Sequence, residues 1–156
     1  MILVVDASVA VMWFIKEAGH DKALALAEHG NILIAPDLIF PEVGNVLRRK
    51  VRQGLISETQ ASMAVQRLPD AFRRIVPCSD LIDNAFSMAS QLDHSVYDCM
   101  YLAAAMTEDD RVLVTADMKF AAKAAAAGFG KKIAVLEAIP ATGLTGFNDG
   151  LENDNG

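Results

Sequence analysis

Short apolar runs alternate with amphipathic segments along most of the chain. Val, Ile and Leu dominate five runs that predict buried strands: Ile2–Val5, Ile32–Ala35, Arg74–Pro77, Arg111–Thr115 and Lys132–Leu136. The segments between them have the length and spacing of helices. Strands that alternate with helices favour an α/β fold, and we expect a three-layer α/β/α sandwich with a central parallel sheet.

Helix-starting Ser and Asp residues, and glycines that follow the last apolar position, mark the ends of the predicted helices. The seven helices are one from Asp6 or Ser8 to Glu17, one over Asp21–Glu28, one with Glu42 in its first turn that reaches Gln53, one from Ser57 to about Arg67, one from Ser79 or Asp80 to about Leu92, one from Ser95 to about Thr107, and one over Met118–Ala127. The pairs Ser57 with Gln60 and Ser95 with Asp98 have the spacing of a capping box.

The chain length of 156 residues fits one domain of ordinary size. Hydrophobic residues make up 53% of the chain, which excludes a wholly disordered protein. We expect one folded domain over residues 1–140 and a polar tail over residues 141–156, which is rich in Gly, Asn and Asp. The high apolar fraction also indicates that part of the surface covers a partner.

Two features of the sequence indicate in which cellular compartment the protein is found: its two cysteines and the lack of a long apolar run. Cys78 and Cys99 are too few for a disulfide framework and suit a reducing compartment. No segment approaches the roughly 18 apolar residues of a membrane span, and the first residues resemble a strand more than a signal peptide. We therefore expect a cytoplasmic protein with no membrane partner.

Four acidic residues fall where predicted strands end or helices begin. Asp6 follows the first strand, Glu42 opens the helix after the second, Asp98 lies in the first turn after Ser95, and Asp117 follows the fourth strand. Ligand sites of parallel α/β sheets form at the carboxyl ends of the strands, so we expect these side chains to share one edge.

A group of carboxylates without other donors is typical of a Mg²⁺ or Mn²⁺ site. The three histidines, His20, His29 and His94, lie elsewhere in the predicted pattern. Zinc is therefore disfavoured, because neither a histidine nor a cysteine joins the acids. Without a cation, the repulsion among four carboxylates should leave at least one of them protonated.

Other interpretations of the same residues stay open at this point. Asp98 and Asp117 have the positions of ordinary acidic residues at helix starts, which stabilise a helix without any ligand. In that case the protein would be a non-catalytic α/β binding module. Asp6 would alternatively be the covalent nucleophile of a phosphatase, although such enzymes usually carry a second acid where this chain has Ser8.

Four blocks of the sequence resemble, in the same order, the motifs of PIN-domain ribonucleases of the VapC toxin type. They are Val4–Phe14, Ala35–Arg48, Ser95–Ala105 and Val114–Phe120. The resemblance implies a PIN-like fold and assigns catalytic, metal-binding roles to the four acids already selected by their positions: Asp6, Glu42, Asp98 and Asp117.

The resemblance also implies an activity and partners. It implies a Mg²⁺- or Mn²⁺-dependent endoribonuclease that hydrolyses RNA phosphodiester bonds and acts as the toxin of a toxin–antitoxin pair. The cognate antitoxin would bury an apolar segment in a groove of the toxin, and homodimers are usual in the family.

Basic residues are concentrated in one stretch of a chain whose formal net charge is −6. Residues 43–76 have a net charge of +5, which would give an acidic protein one basic surface for phosphates. Arg48, Arg49 and Arg52 follow Glu42 on the same predicted helix, and we expect them to contact the RNA backbone. The alternative is an ordinary solvated helix surface.

Overall fold

In the computed structural model, the described part of the chain is residues 1–140, and its centre is a five-stranded sheet. The predicted tail, residues 141–156, lies outside the described residues. The strands are β1 (Ile2–Val5), β2 (Ile32–Pro36), β3 (Arg74–Val76), β4 (Arg111–Thr115) and β5 (Ile133–Val135). Each lies within about one residue of its predicted position.

Helices connect every pair of consecutive strands. They are α1 (Ala7–Ala10), α2 (His20–Glu28), α3 (Ile39–Arg52), α4 (Glu58–Arg67), α5 (Ile82–Leu92), α6 (Val96–Met106) and α7 (Met118–Ala124). Short 3₁₀ turns extend several of them. None of the helices in residues 1–140 has the length and apolar character needed to cross a membrane.

All strand pairs are parallel, and the strand order is β3–β2–β1–β4–β5. The chain steps outward from β1 to β3, returns to β4 beside β1, and then steps outward in the opposite direction. Right-handed crossovers therefore place α1–α4 on one face and α5–α7 on the other. The predicted three-layer α/β/α sandwich with a central parallel sheet is confirmed.

The core is formed by strands that are apolar on both faces. Leu3, Val4 and Val5 are fully buried, as expected for a parallel sheet covered by helices on both sides. Helix α6 packs over β1, β2 and β4 and buries seven consecutive residues, from Cys99 to Ala105. Cys78 and Cys99 are both free. Because α6 is enclosed by the core, its exposed first turn has a fixed position above the sheet.

The C-terminal end of α6 is held by one lysine. Lys132 Nζ donates to four backbone oxygens, those of Ala105, Glu108, Asp109 and Arg111, at 2.8–3.4 Å. These carbonyls belong to the end of α6 and the turn into β4, where the negative end of a helix dipole favours a cation. The lysine thus fixes α6 at the end opposite to its first turn.

Helix ends follow the predictions only in part. The capping box of Ser57 and Gln60 is confirmed, with both hydrogen bonds formed at the start of α4. The capping box predicted at Ser95 is wrong, because Ser95 Oγ accepts from Tyr97 N and the Asp98 carboxylate bonds elsewhere.

Two further predicted helix boundaries are wrong. The helix after Asp6 does not reach Glu17; it passes into a 3₁₀ turn that ends at Trp13, whose indole N–H donates to Ala23 O of α2 at 2.9 Å. Neither Ser79 nor Asp80 caps a helix, because they lie in a 3₁₀ turn. Buried Leu81 occupies the cap position of α5 without a side-chain hydrogen bond.

Candidate active site

The four acidic residues lie at the carboxyl edge of the sheet. Asp6 follows β1 and Asp117 follows β4, the neighbouring strands between which the strand order reverses. Glu42 is in the first turn of α3 and Asp98 in the first turn of α6. A reversal of strand order opens a crevice between the outgoing crossovers, and ligand sites of α/β folds form there.

Asp6 is the buried member of this group. Its residue exposure is 8%, and its carboxylate accepts three hydrogen bonds. Ser8 Oγ donates to Oδ1 at 2.6 Å, Val9 N donates to Oδ1 at 3.2 Å, and Thr115 Oγ1 donates to Oδ2 at 2.5 Å. Burial nevertheless raises the pKa of Asp6 to about 6, although the three hydrogen bonds lower it; the negative charge of Asp98 adds to the rise.

The Ser8 and Thr115 hydroxyl groups that donate to Asp6 also accept hydrogen bonds from the loop that follows β4. Ala116 N donates to Ser8 Oγ, and Asp117 N donates to Thr115 Oγ1, each at 3.0 Å. Two backbone N–H groups are therefore linked through two side-chain hydroxyls to one carboxylate. Ser8 and Thr115 are therefore the residues that orient Asp6.

Glu42 is half-buried beside this centre. Tyr101 donates its hydroxyl to Glu42 Oε2 at 3.1 Å. The pKa of Glu42 is raised, first by burial and then by the charges of Asp98 and Asp6, while the Tyr101 hydrogen bond lowers it. The pKa of Tyr101 is also raised, chiefly by burial, so that this hydroxyl remains a donor. Tyr101 lies three residues after Asp98, a spacing that places both on one helix face.

Asp98 and Asp117 form the more exposed part of the site, together with a histidine. His94 Nε2 lies 2.7 Å from Asp98 Oδ2, and one ligand atom from each of His94, Asp98 and Asp117 lies within 4.8 Å of the others. The prediction that no histidine joins the acids is therefore wrong. His94 lies four residues before Asp98, and the turn between α5 and α6 folds it back over that carboxylate. The argument against zinc from a missing histidine no longer holds.

Asp98 and Asp117 both lie at helix starts, as the alternative interpretation has it, but only Asp117 is a cap residue, and Asp6 is a second one. Asp6 caps α1 by accepting from Val9 N, and Asp117 caps α7 by accepting from Phe120 N at 3.0 Å. In both cases the cap bond engages one carboxylate oxygen. The other oxygen of Asp117 is left for a ligand, so capping and ligand binding are compatible at this position.

The site as a whole has an excess of negative charge. Among the ion pairs of residues 1–140, none joins a lysine or an arginine to any of the four carboxylates. The charge of Asp98 helps to raise the pKa of both Asp6 and Glu42, and the charge of Asp6 also helps to raise the pKa of Glu42. An oxygen-rich group of this kind fits a divalent cation, which would replace proton uptake as the means of neutralising it.

The three arginines predicted to contact RNA lie along α3, beyond Glu42. All three are exposed, and Arg48 forms an ion pair with Glu58 of α4 at 3.3 Å. Arg49 is seven residues from Glu42, which in an α-helix places it on the same face and about 10 Å further along the axis. The fold therefore keeps Arg49 on the side of α3 that faces the site.

Comparisons with known proteins agree with this architecture. Ribonuclease VapC3 of Pyrobaculum aerophilum is 30% identical over 125 residues, which cover 79% of this chain and 95% of that protein. Ribonuclease VapC1 of Mycobacterium tuberculosis is 42% identical over 91 residues, 56% of this chain and 65% of that one. The crystal structure of VapC20 of M. tuberculosis, a toxin that cleaves the sarcin–ricin loop, has a TM-score of 0.62 at 22% identity, covering 81% of this chain and 95% of that one.

The family of this chain is established by a match to a family model. Residues 3–126 match the model of the PIN domain, and this range contains β1 to β4 and all four acidic residues. Since the match covers most of the chain and one relative is matched over nearly its whole length, this chain belongs to the PIN-domain family.

Proposed function

We propose that this chain is an endoribonuclease that depends on Mg²⁺ or Mn²⁺ and acts as the toxin of a toxin–antitoxin pair. The ribonuclease activity is supported by the PIN domain and by relatives named ribonuclease VapC. The observation that carries the catalytic part is the buried carboxylate of Asp6. The negative charge of Asp98 helps to raise its pKa, and no lysine or arginine of the described residues pairs with it.

The proposed cation ligands are Asp6, Glu42, Asp98 and Asp117. A bound divalent ion would lower the pKa of a water molecule and stabilise negative charge on a phosphate. The chain's own residues set the geometry for this chemistry. Ser8 and Thr115 orient Asp6, Tyr101 fixes one oxygen of Glu42, and Asp98 has a side-chain exposure of 38%, so the site opens to solvent on its side.

The rival proposal of a phosphatase with Asp6 as nucleophile is not supported by this geometry. Both oxygens of Asp6 already accept hydroxyl hydrogen bonds, and the residue is only 8% exposed. A nucleophilic carboxylate needs an oxygen with open access to the phosphorus atom, whereas the one remaining lone pair of Asp6, on Oδ2, lies in a buried position. The arrangement instead holds Asp6 in one orientation, which suits a ligand of a cation.

The proposed antitoxin contact is a groove of about 280 Å³ between α3 and α4. Its walls include Leu47, Val51 and Val65, and Val65 is half-exposed. Met63 of α4 and Leu55 of the connection between α3 and α4 add further exposed apolar surface nearby. Large apolar side chains in solvent favour a partner that covers them, and an apolar segment of the antitoxin fits this groove.

A homodimer is part of the same proposal. Ile82 and Phe86 lie one turn apart on α5 and are 43% and 64% exposed. An apolar stripe of this kind, on the opposite face of the sheet from the proposed antitoxin groove, supports a second protein contact. The proposed domain limits are residues 1–140 for the nuclease domain and 141–156 for the tail, and the proposed location is the cytoplasm.

The first prediction concerns catalysis. With purified, partner-free protein and a labelled total-RNA pool, Mg²⁺ or Mn²⁺ should give discrete fragments that EDTA abolishes. Asp6→Asn should lower the cleavage rate by at least about a hundredfold, because a cation loses a charged ligand. Asp110→Asn, in the exposed turn before β4, is the control and should cleave normally. Equal cleavage by Asp6→Asn, or cleavage in EDTA, would contradict the proposal.

The second prediction concerns stability and pH in the absence of metal. The raised pKa of Asp6 means that the folded state binds more protons than the unfolded state between about pH 4 and 6. Wild-type stability should therefore fall across this range as Asp6 ionises in a buried site. Asp6→Asn lacks this loss, so its stability relative to wild type should rise by about 2 kcal/mol from pH 4 to pH 7.

Urea unfolding in EDTA at several pH values measures this difference. The difference in the free energy of unfolding between wild type and the exposed variant Asp110→Asn should not show this dependence on pH. A pH-independent difference for Asp6→Asn would show that the Asp6 carboxylate titrates normally.

The third prediction concerns the RNA path. Alanine at Arg48, Arg49 and Arg52 together should weaken RNA binding, measured with the Asp6→Asn protein to prevent cleavage. Each phosphate contact that is lost should reduce the slope of log affinity against log salt by about 0.7. Lys131→Ala, at the opposite end of the sheet, serves as the control and should leave the slope unchanged. An unaltered slope in the triple variant would remove these arginines from the substrate path.

The fourth prediction concerns the antitoxin groove. Val65→Asp places a charge in the groove and should weaken binding of the cognate antitoxin by at least tenfold, or about 1.4 kcal/mol. RNA cleavage by the free toxin is measured in parallel, because Arg48 lines the same groove and the new charge lies beside a proposed RNA contact. Isothermal titration calorimetry measures the affinity, and Thr59→Asp on the same helix is the control. Antitoxin binding unaffected by Val65→Asp would exclude the groove.

A further inference from the structure

His94 is held in a fixed position at the junction of α5 and α6. Its backbone N–H donates to Ala89 O at 3.1 Å, and the preceding residue, Asp93, has a left-handed conformation with φ of +49°. Lys123 of α7 donates to Asp93 O at 2.8 Å. The junction is therefore tied both to the end of α5 and to α7.

The ring of His94 is also fixed in orientation. It stacks on Phe120 with a centroid distance of 4.7 Å and an interplanar angle of 18°. Phe120 is itself 1% exposed, and the His94 side chain is 17% exposed, so the ring has a rigid support. In this orientation Nε2 lies 2.7 Å from Asp98 Oδ2.

Phe120 links the histidine to the second carboxylate of the group. Its backbone N–H donates to Asp117 Oδ1, while its ring supports His94. One residue of α7 thus positions both a ring nitrogen and a carboxylate, and α6 provides Asp98 between them. The packing of α6 and α7 thus brings together one potential ligand atom from each of His94, Asp98 and Asp117.

These atoms are close enough to become a coordination group. They lie within 4.8 Å of one another, and opposite ligands of an ion with bonds of about 2.1 Å are about 4.2 Å apart, so the side chains need to close in by at most about 0.6 Å. We propose that His94 is a nitrogen ligand of the divalent cation at the Asp98–Asp117 side of the site, and that it makes the site prefer Mn²⁺ to Mg²⁺. This inference rests on the proposed function, because it concerns the cation that the nuclease requires.

The preference follows from the chemistry of the donors. Mg²⁺ takes oxygen ligands and gains little from an imidazole, whereas Mn²⁺, although the weakest binder of the first-row divalent metals, gains more from a nitrogen ligand than Mg²⁺ does. As a ligand, His94 is neutral and carries its proton on Nδ1, so the present contact between Nε2 and Asp98 is replaced by two bonds to the ion. A site made of carboxylates alone would lack this discrimination.

The test uses the full chain without a histidine tag, loaded with Mn²⁺ after removal of other metals. Electron spin-echo envelope modulation, recorded on a frozen solution of the Mn²⁺-loaded protein, should show a ¹⁴N nucleus bound directly to the ion. The substitution His94→Gln should abolish that signal. Glutamine keeps a hydrogen-bond donor near the position of Nε2, so this variant separates coordination from hydrogen bonding to Asp98. His29→Gln, in the exposed turn after α2, is the matched control and should keep the signal.

Binding titrations give the second readout. The Mn²⁺ dissociation constant should rise about 10- to 100-fold in His94→Gln, while that of Mg²⁺ changes less than about threefold. Mn²⁺ binding with no ¹⁴N signal, or the same ratio of Mn²⁺ to Mg²⁺ affinity in both proteins, would overturn the role of His94 and leave the nuclease proposal intact. Binding of neither ion by the wild type would overturn the cation site, and the inference with it.

Discussion

A carboxylate at the buried end of the central strand is the constraint on which the site depends. The apolar residues of β1 lead directly into Asp6, so the first polar side chain after the core is an acid that cannot withdraw into solvent. Burying a charge is costly unless hydrogen bonds or an opposite charge compensate it. Hydroxyl and amide donors supply part of that compensation here, and the raised pKa of Asp6 shows that they do not supply all of it.

The same hydrogen bonds join two parts of the chain that are distant in sequence. Ser8 follows β1 and Thr115 ends β4, and both bridge from Asp6 to backbone N–H groups of the loop that carries Asp117. The geometry of the site is therefore a property of the sheet, since the two strands are hydrogen-bonded neighbours. Loops alone would not hold these groups at such fixed separations.

The sequence was sufficient for those features that depend on local pattern. Buried parallel strands appear as continuous apolar runs, and acids immediately after such runs must lie at the carboxyl edge of the sheet. The contacts of His94 and Tyr101 could not be predicted in this way, because they depend on how α6 packs over the sheet and on the turn that precedes it.

Some local signals were overridden by packing. Ser95 and Asp98 have the spacing of a capping box, but the carboxylate of Asp98 contacts His94 instead of the helix start. The sequence pattern predicts that the helix after Asp6 continues to Glu17. In the structure it ends in a 3₁₀ turn at Trp13, whose indole N–H donates to α2. In both cases a contact between elements replaces a bond within one element.

The hydrogen bonds on Asp6 also determine how this residue can act as a ligand. A carboxylate has about four acceptor sites, two on each oxygen. Oδ1 already accepts from Ser8 and Val9, which fills both of its sites, whereas Oδ2 accepts only from Thr115. One lone pair on Oδ2 is left, so under the proposed function Asp6 would offer a cation a single ligand atom, Oδ2.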